Sequence, residues 1–289
     1  MTKVAAVGRL FVVATPIGNL GDFSARAQET LRACQWIAAE DTRHTGVLLK
    51  HFNIQTPQLS LHDHNESARS IEIISRLKKG ESVALVSDAG TPAISDPGFE
   101  LVRAAAAAGI EIVAIPGPCA AIAALSIAGL PTDRFCFEGF LPARGAARRQ
   151  RLEALVNEPR TLVFYESPHR VLEAIEDCAA AFGESRAATV VREATKLHET
   201  TYRGSLRELV AVAGSDPDFA RGEIVLLIGG APEAVAGEGR DALLDKTLTV
   251  LLKELPLKQA AALAARLTGA RDNEVYKRAL QLKEQMISQ

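Results

Sequence analysis

The densest chemistry in the sequence lies in twelve residues, Ser87-Asp88-Ala89-Gly90-Thr91-Pro92-Ala93-Ile94-Ser95-Asp96-Pro97-Gly98, that follow an apolar run. Small side chains let the main chain approach a ligand closely, and Asp88 at the end of the run can accept from amine or hydroxyl groups. Asp96-Pro97 has a simpler reading, as an N-cap ahead of the helix that carries Phe99. Ala14 to Asp22 (ATPIGNLGD) is a glycine-containing turn that is neither a G-x-G-x-x-G fingerprint nor a phosphate loop. Ile115-Pro116-Gly117-Pro118-Cys119-Ala120-Ala121 ends a strand in a rigid turn, whose exposed main-chain groups suit recognition of an adenine-like ring.

Polar candidates lie beyond these loops. Glu40-Asp41-Thr42-Arg43-His44 offers a carboxylate together with Arg43 and His44, which are suited to phosphate or a base. His62-Asp63-His64 places two imidazoles on one side of an extended segment, but no third ligand stands at a motif spacing. We therefore read His62 and His64 as part of an RNA-facing loop and expect no metal. Arg144, Arg148, Arg149 and Arg151, with no acid between Gly139 and Arg151, form the clearest basic patch and are expected to contact RNA phosphates.

Strand-like runs at Leu10–Thr15, Ser82–Ser87 and Ile110–Ile115 alternate with helical patterns at Glu66–Lys79 and Phe99–Ala108, the grammar of parallel βαβ units. Asn65 is a plausible N-cap, with Gly80 and Gly109 just past two helix ends. After Leu130 the strand-like runs, 135–140, 161–165, 188–192, 198–204 and 223–228, crowd together and predict a mixed, partly antiparallel sheet. Ser167-Pro168 is expected to open the helix that ends near Gly183, and Ser205-x-x-Glu208 is a capping box.

The expected architecture is α/β: two α/β domains, residues 1–130 with a parallel sheet and 131–230 with a mixed one, and a cleft between them. Residues 231–239 read as a linker, and 240–289 as a helical, helix-turn-helix-like extension with nine basic and six acidic residues. Arg9 interrupts the apolar run Val4–Ala14, and Pro16 and Gly18 follow it, so neither a signal peptide nor a spanning helix is expected. Cys34, Cys119, Cys136 and Cys178 are dispersed and read as reduced thiols of a cytoplasmic protein. With a net charge of −2, only a local patch can attract nucleic acid.

TPIGNLGD (15–22), EDTRHT (40–45), HDHNE (62–66), SDAGTPAISDPG (87–98), PGPCA (116–120) and FYESPHR (164–170) resemble, in order and spacing, the ribosomal RNA small-subunit methyltransferase I family of the tetrapyrrole methylase superfamily. The resemblance spans essentially the whole chain. It implies S-adenosyl-L-methionine as cofactor, a homodimer, and transfer of a methyl group to the ribose 2′-hydroxyl of a decoding-centre cytidine (cytidine-1402) of 16S rRNA, as free RNA or in the 30S subunit. Carried over by position, the cofactor pocket would use Pro16, Asp88, Ala89, Thr91, Ile94, Cys119, Ala120, Tyr165, Glu166, Arg192, Gly222 and Glu223. A ribose hydroxyl needs a proton acceptor, for which Asp41, Glu166 and His169 are the candidates. The rival readings are a tetrapyrrole or other small-molecule methylase and a non-catalytic RNA-binding protein.

Overall fold

Five short apolar runs in the first half pair side by side. They are β1 (Leu10–Val13), β2 (Trp36–Ala39), β3 (Gln58–Ser60), β4 (Val83–Val86) and β5 (Ile112–Ile115), all parallel and ordered β3-β2-β4-β1-β5. The computed structural model describes residues 7–287, so Val4–Ala6 of the N-terminal apolar run lie outside it.

Alternate strand residues face opposite layers of helices. Val13, Ile37, Ala39, Ala84, Val86 and Ile115 pack with Leu31 of α1 (Ala25–Ala33) and Leu49 of α2 (Thr42–His51). Leu10, Ala38, Val83 and Leu85 pack with Ile73 and Leu77 of α3 (Glu66–Lys78) and Leu101 and Ala105 of α4 (Phe99–Ala107). Because the strands are parallel, the loops after all five emerge at one edge.

The second half builds β6 (Phe135–Phe140), β7 (Thr161–Glu166), β8 (Ala187–Arg192), β9 (Thr200–Ser205) and β10 (Ile224–Ile228) in the order β6-β7-β10-β8-β9. Only β6 and β7 are parallel, so this sheet is mixed. The antiparallel register sets Ile224 opposite both Glu166 and Arg192, so the ends of β7 and β8 and the start of β10 share an edge. One face carries α6 (Gly145–Ala154), α7 (Val171–Phe182) and α8 (Leu206–Ser215). Against the other face lies α5 (Ala120–Ile127), whose Ala121, Ala124 and Leu125 pack on Val163, Val191, Val225 and Leu227. Small residues let this helix sit close to the sheet and join the halves.

The caps differ in part from expectation. The capping box at Ser205 and Glu208 forms. Asn65 makes no side-chain cap to α3, its Oδ1 accepting instead from His62 N. Asp96 does not cap α4 either. Gly98 holds that position, and Oε1 of Glu66 accepts from the amides of Gly98, Glu100 and Leu101. A buried carboxylate from a neighbouring helix therefore satisfies the orphan donors. Helix α7 starts at Val171 rather than beside Pro168, and Ser167–Arg170 form a turn in which the Ser167 carbonyl accepts from Arg170 N and Val171 N.

Residues 231–239 are not an irregular linker. Helix α9 (Glu233–Glu254) begins directly after Pro232, since the Glu and Ala content offsets the cost of its two glycines, roughly 1 kcal/mol each against Ala. It joins α10 (Leu257–Thr268) and α11 (Asp272–Ile287) around Leu244, Leu248, Ala261, Ala264, Val275 and Ala279, with Gly269 in a left-handed turn between the last two.

Candidate active site

The loops at the carboxyl edge of the first sheet face the matching edge of the second, and between them lies a cavity of about 320 Å³. Its wall is largely apolar, from Ile17, Phe140, Val191, Ala194 and Val225, with a few convergent polar groups, the pattern of a site for an organic cofactor. Of the residues expected there, Ala89, Thr91, Ile94, Cys119, Ala120, Tyr165, Glu166, Gly222 and Glu223 line it.

Three expected cofactor residues do not. Pro16 and Asp88 line an adjoining hollow, because Asp88 Oδ1 accepts from Asp41 N at 3.0 Å and so faces the β2 side of the edge. Arg192 alternates away from Val191, which faces the cavity, and it donates to Thr200 Oγ1 at 3.1 Å.

The loop after β4 is held rigidly. Thr15 N donates to the Gly90 carbonyl at 2.8 Å and Gly90 N to the Thr15 carbonyl at 3.1 Å, which fastens this loop to the turn after β1. Gly90 has φ +82°, a conformation natural to glycine. Ala93 and Ser95 also adopt positive φ, 67° and 63°, strained for L side chains and characteristic of ligand-holding loops. Thr91 Oγ1 donates to the Pro118 carbonyl at 3.0 Å, and Tyr165 Oη accepts from Ala121 N at 3.1 Å, capping α5 from across the cleft.

Two carboxylates in the cavity wall stand out. Glu166, at the end of β7, has a fully buried side chain whose Oε1 accepts from Ser167 N at 2.7 Å and pairs with Arg170 at 2.8 Å. Its Oε2 is buried with no hydrogen-bond partner. An orphaned buried acceptor is costly unless a ligand completes it, so this donor-seeking oxygen fits an amine or hydroxyl group of an organic ligand. Asp96 is pushed up to about 6, chiefly by burial and then by the nearby carboxylates of Glu40, Asp88 and Asp63, with the Ser87 hydroxyl opposing. Freed from helix capping, it lines the cavity on the side of the first domain's loops. Sequence reasoning missed it because Asp-Pro ahead of a helix is such a common cap signal.

The other expected bases fare worse. Asp41 N-caps α2 and pairs with Arg43 at 2.7 Å, and the Arg43 side chain above all holds its carboxyl well below the usual range. His169 is exposed, its amide donating to Ser167 Oγ, and does not line the cavity. Arg43 and His44 are exposed on α2. The His62 and His64 rings lie 6.0 Å apart, with His62 Nε2 3.1 Å from Asn65 Nδ2, while His51 stacks edge-on against Phe52. Among the described residues no group of three or more His, Cys, Asp or Glu could hold a metal ion.

The arginine run is not a uniform RNA face. Arg148 is 2% exposed and donates to Asp177 at 2.7 Å and Glu173 at 3.1 Å, both from α7. These acids lie 25 and 29 residues downstream, where counting charges within the local stretch does not see them. Arg149 pairs with Asp177 at 3.5 Å and Arg151 with Glu138, yet both are half exposed or more, and Arg144 is exposed.

Two facing α/β sheets with the cavity at their loop edges are the architecture of the tetrapyrrole (corrin/porphyrin) methylases. That family's model matches residues 9–210, and the chain belongs to the family. Within it, similar relatives from several bacteria carry the name Ribosomal RNA small subunit methyltransferase I. The Pseudomonas aeruginosa protein is 56% identical over 96% of this chain and 98% of its own, and that of Escherichia coli O157:H7 is 52% identical over 95% of each. A second family model, described as "RsmI C-terminal HTH domain", matches residues 238–283. Among solved structures, the uroporphyrin-III-C-methyltransferase from Thermus thermophilus aligns with TM-score 0.55 and 21% identity, covering 80% of this chain and 98% of that one. The methyltransferase CobJ aligns with TM-score 0.57 at the same identity, covering 78% and 95%. At that identity these two speak for the fold alone.

Proposed function

We propose that this chain methylates the ribose 2′-hydroxyl of a decoding-centre cytidine (cytidine-1402) of 16S rRNA, using S-adenosyl-L-methionine held in the cavity between the two sheets. The observation that carries the reading is that one cavity brings together a buried unpartnered Glu166 oxygen from the second sheet and an Asp96 carboxyl, raised to about 6, from the first. The printed name of the relatives supports small-subunit rRNA as the substrate, and the cytidine ribose follows from the resemblance.

When bound, the cofactor supplies a methyl group already activated by its sulfonium. The protein has to orient and to accept a proton. Glu166 Oε2 and the amides of the loops after β4 and β5 would hold the cofactor, with Phe140 and Val225 excluding water from its apolar parts. Orientation of this kind is worth roughly 7 to 11 kcal/mol of barrier. Asp96 takes the proton of the attacking hydroxyl. With its value near 6, it is mostly ionised at pH 7 yet still basic enough to assist a weak nucleophile. Glu166 serves the cofactor instead, since Arg170 and Ser167 N already engage its other oxygen.

The rRNA would approach over the exposed residues Arg43, His44, His64, Arg144 and Arg149. We infer a homodimer acting in the cytoplasm on free rRNA or the 30S subunit, as the resemblance implies; among the described residues no helix is long and apolar enough to cross a membrane. The test is incubation of purified protein and labelled cofactor with small subunits, rRNA and porphyrin precursors in parallel. Label is expected in RNA ribose alone. Label in the porphyrins would favour the small-molecule reading, and absence of cofactor binding the non-catalytic one.

A further inference from the structure

A second hollow of about 280 Å³ lies directly beside the cofactor cavity, walled by Pro16, Gly18, Leu20, His44, Thr45, Val47, Leu48, His51, Ser87 and Asp88. The two spaces share their partition: Ile17 and Ala89 face the cavity, while their chain neighbours Pro16 and Asp88 face the hollow. The paired hydrogen bonds between Thr15 and Gly90 fix that partition in place. Ser87 lines the hollow while its hydroxyl donates to the carbonyl of Ala89, which lines the cavity, at 3.3 Å. Both spaces therefore touch one short hydrogen-bonded link.

We propose that this hollow receives the pyrimidine base of the target nucleotide, extruded from the RNA, and that Asp88 recognises its exocyclic amine. The inference rests on the reading of cytidine as methyl acceptor and adds to it the means of selection. Extruding a nucleotide from the stack lets an enzyme read its identity on the base edge, and the extruded base then needs a pocket next to the site of chemistry.

Asp88 Oδ1 is engaged by Asp41 N, and its second oxygen has no donor among the described residues. A carboxylate accepts from the cytosine N4 amine and repels the O4 carbonyl of uracil. Thr45 is 2% exposed, and its Oγ1 is buried without a partner. A hydroxyl can donate or accept, so it suits the ring's O2 or N3. His44 and His51, at i and i+7 on α2, with Pro16 and Leu48, give flat and apolar surfaces of the kind on which single bases stack. Charge excludes the obvious alternative, a phosphate, because Asp88 lines the hollow and Glu40 Oε2 accepts from its amide.

The test uses small ribosomal subunits reconstituted with cytidine or uridine at the target position. Binding is measured without cofactor, and methyl transfer with it. The wild-type protein should bind the cytidine particle roughly ten- to a hundredfold more tightly. Asp88→Asn should bring the two affinities within about threefold, because the amide can serve the uracil carbonyl as well, while calorimetric S-adenosylmethionine affinity stays unchanged. Thr45→Val should weaken cytidine binding roughly five- to tenfold, and it decides the matter alone if Asp88→Asn does not fold. A preference unchanged in Asp88→Asn, a cofactor affinity that falls with it, or an unaffected Thr45→Val would overturn the base pocket. A wild-type protein that methylates neither particle would overturn the functional reading instead.

Discussion

Replacing Arg148 by alanine should unfold the protein more readily and leave RNA binding by the folded fraction intact. The guanidinium is 2% exposed and held between Asp177, itself 15% exposed, and Glu173. Removing one partner from a buried ion pair leaves the other charge uncompensated, at a cost of about 3 to 5 kcal/mol, a large part of a total stability of 5 to 15. Arg149, 3.5 Å from Asp177, offsets part of this, so the lower figure is expected. The double variant Arg148→Met/Asp177→Leu should recover most of the loss, because apolar residues of similar volume commonly replace such pairs without penalty. Arg151→Ala, whose partner Glu138 belongs to β6 and whose own side chain is half exposed, should cost under about 1 kcal/mol. Urea denaturation of the four proteins measures these differences, with rRNA association across a salt series in parallel. An Arg148→Ala protein with wild-type denaturation midpoint but a flatter salt dependence of RNA binding would instead place Arg148 on the RNA face.

Glu66→Ala removes the acceptor for three amides at the start of α4 and should destabilise by at least roughly 1.5 to 3 kcal/mol, with amide exchange rising first at Gly98, Glu100 and Leu101. In the wild type, kcat/KM should fall about tenfold per pH unit below the Asp96 value of about 6, and Asp96→Asn should abolish both the limb and most of the activity. Stability carries the opposite sign: the folded protein holds the Asp96 proton more tightly than the unfolded chain, so ionisation disfavours folding as pH rises from 3.8 towards 6. Asp96→Asn should therefore gain stability relative to wild type at pH 7 and gain little at pH 4, read from denaturation at both. Glu166→Gln should weaken calorimetric S-adenosylmethionine binding by one to two decades in a protein with unchanged circular dichroism; an unchanged Kd would remove Glu166 from the cofactor site.

Much of this was legible in the sequence, for physical reasons. Strands such as Ser82–Ser87 and Thr161–Tyr165 are apolar on both faces because both are covered, and the small-residue loop that follows the first marks the ligand edge. Strand β3 is only three residues long, and β2, equal in length to β1, β4 and β5, reads Trp-Ile-Ala-Ala and lacks their run of large aliphatic and β-branched residues. The loops after β2 and β3 stand out in the sequence only by their acids and histidines. What the sequence hid is pairing between distant residues. Asp177 and Glu173 neutralise Arg148 from the next helix, and Glu66 displaces Asp96 as the cap of α4, which frees Asp96 for the cavity. Alternation at a strand end likewise turns Arg192 away while Val191 faces in.

The decisive measurement maps ribose methylation along 16S rRNA from a strain lacking this gene, before and after its small subunits are incubated with the purified protein and S-adenosyl-L-methionine. One 2′-O-methyl group should be missing, at the decoding-centre cytidine, and should return with the wild-type protein but not with Asp96→Asn. A full complement of ribose methyl groups in the deletion strain, or a methyl group restored on a base rather than on ribose, would contradict ribose methylation by this protein.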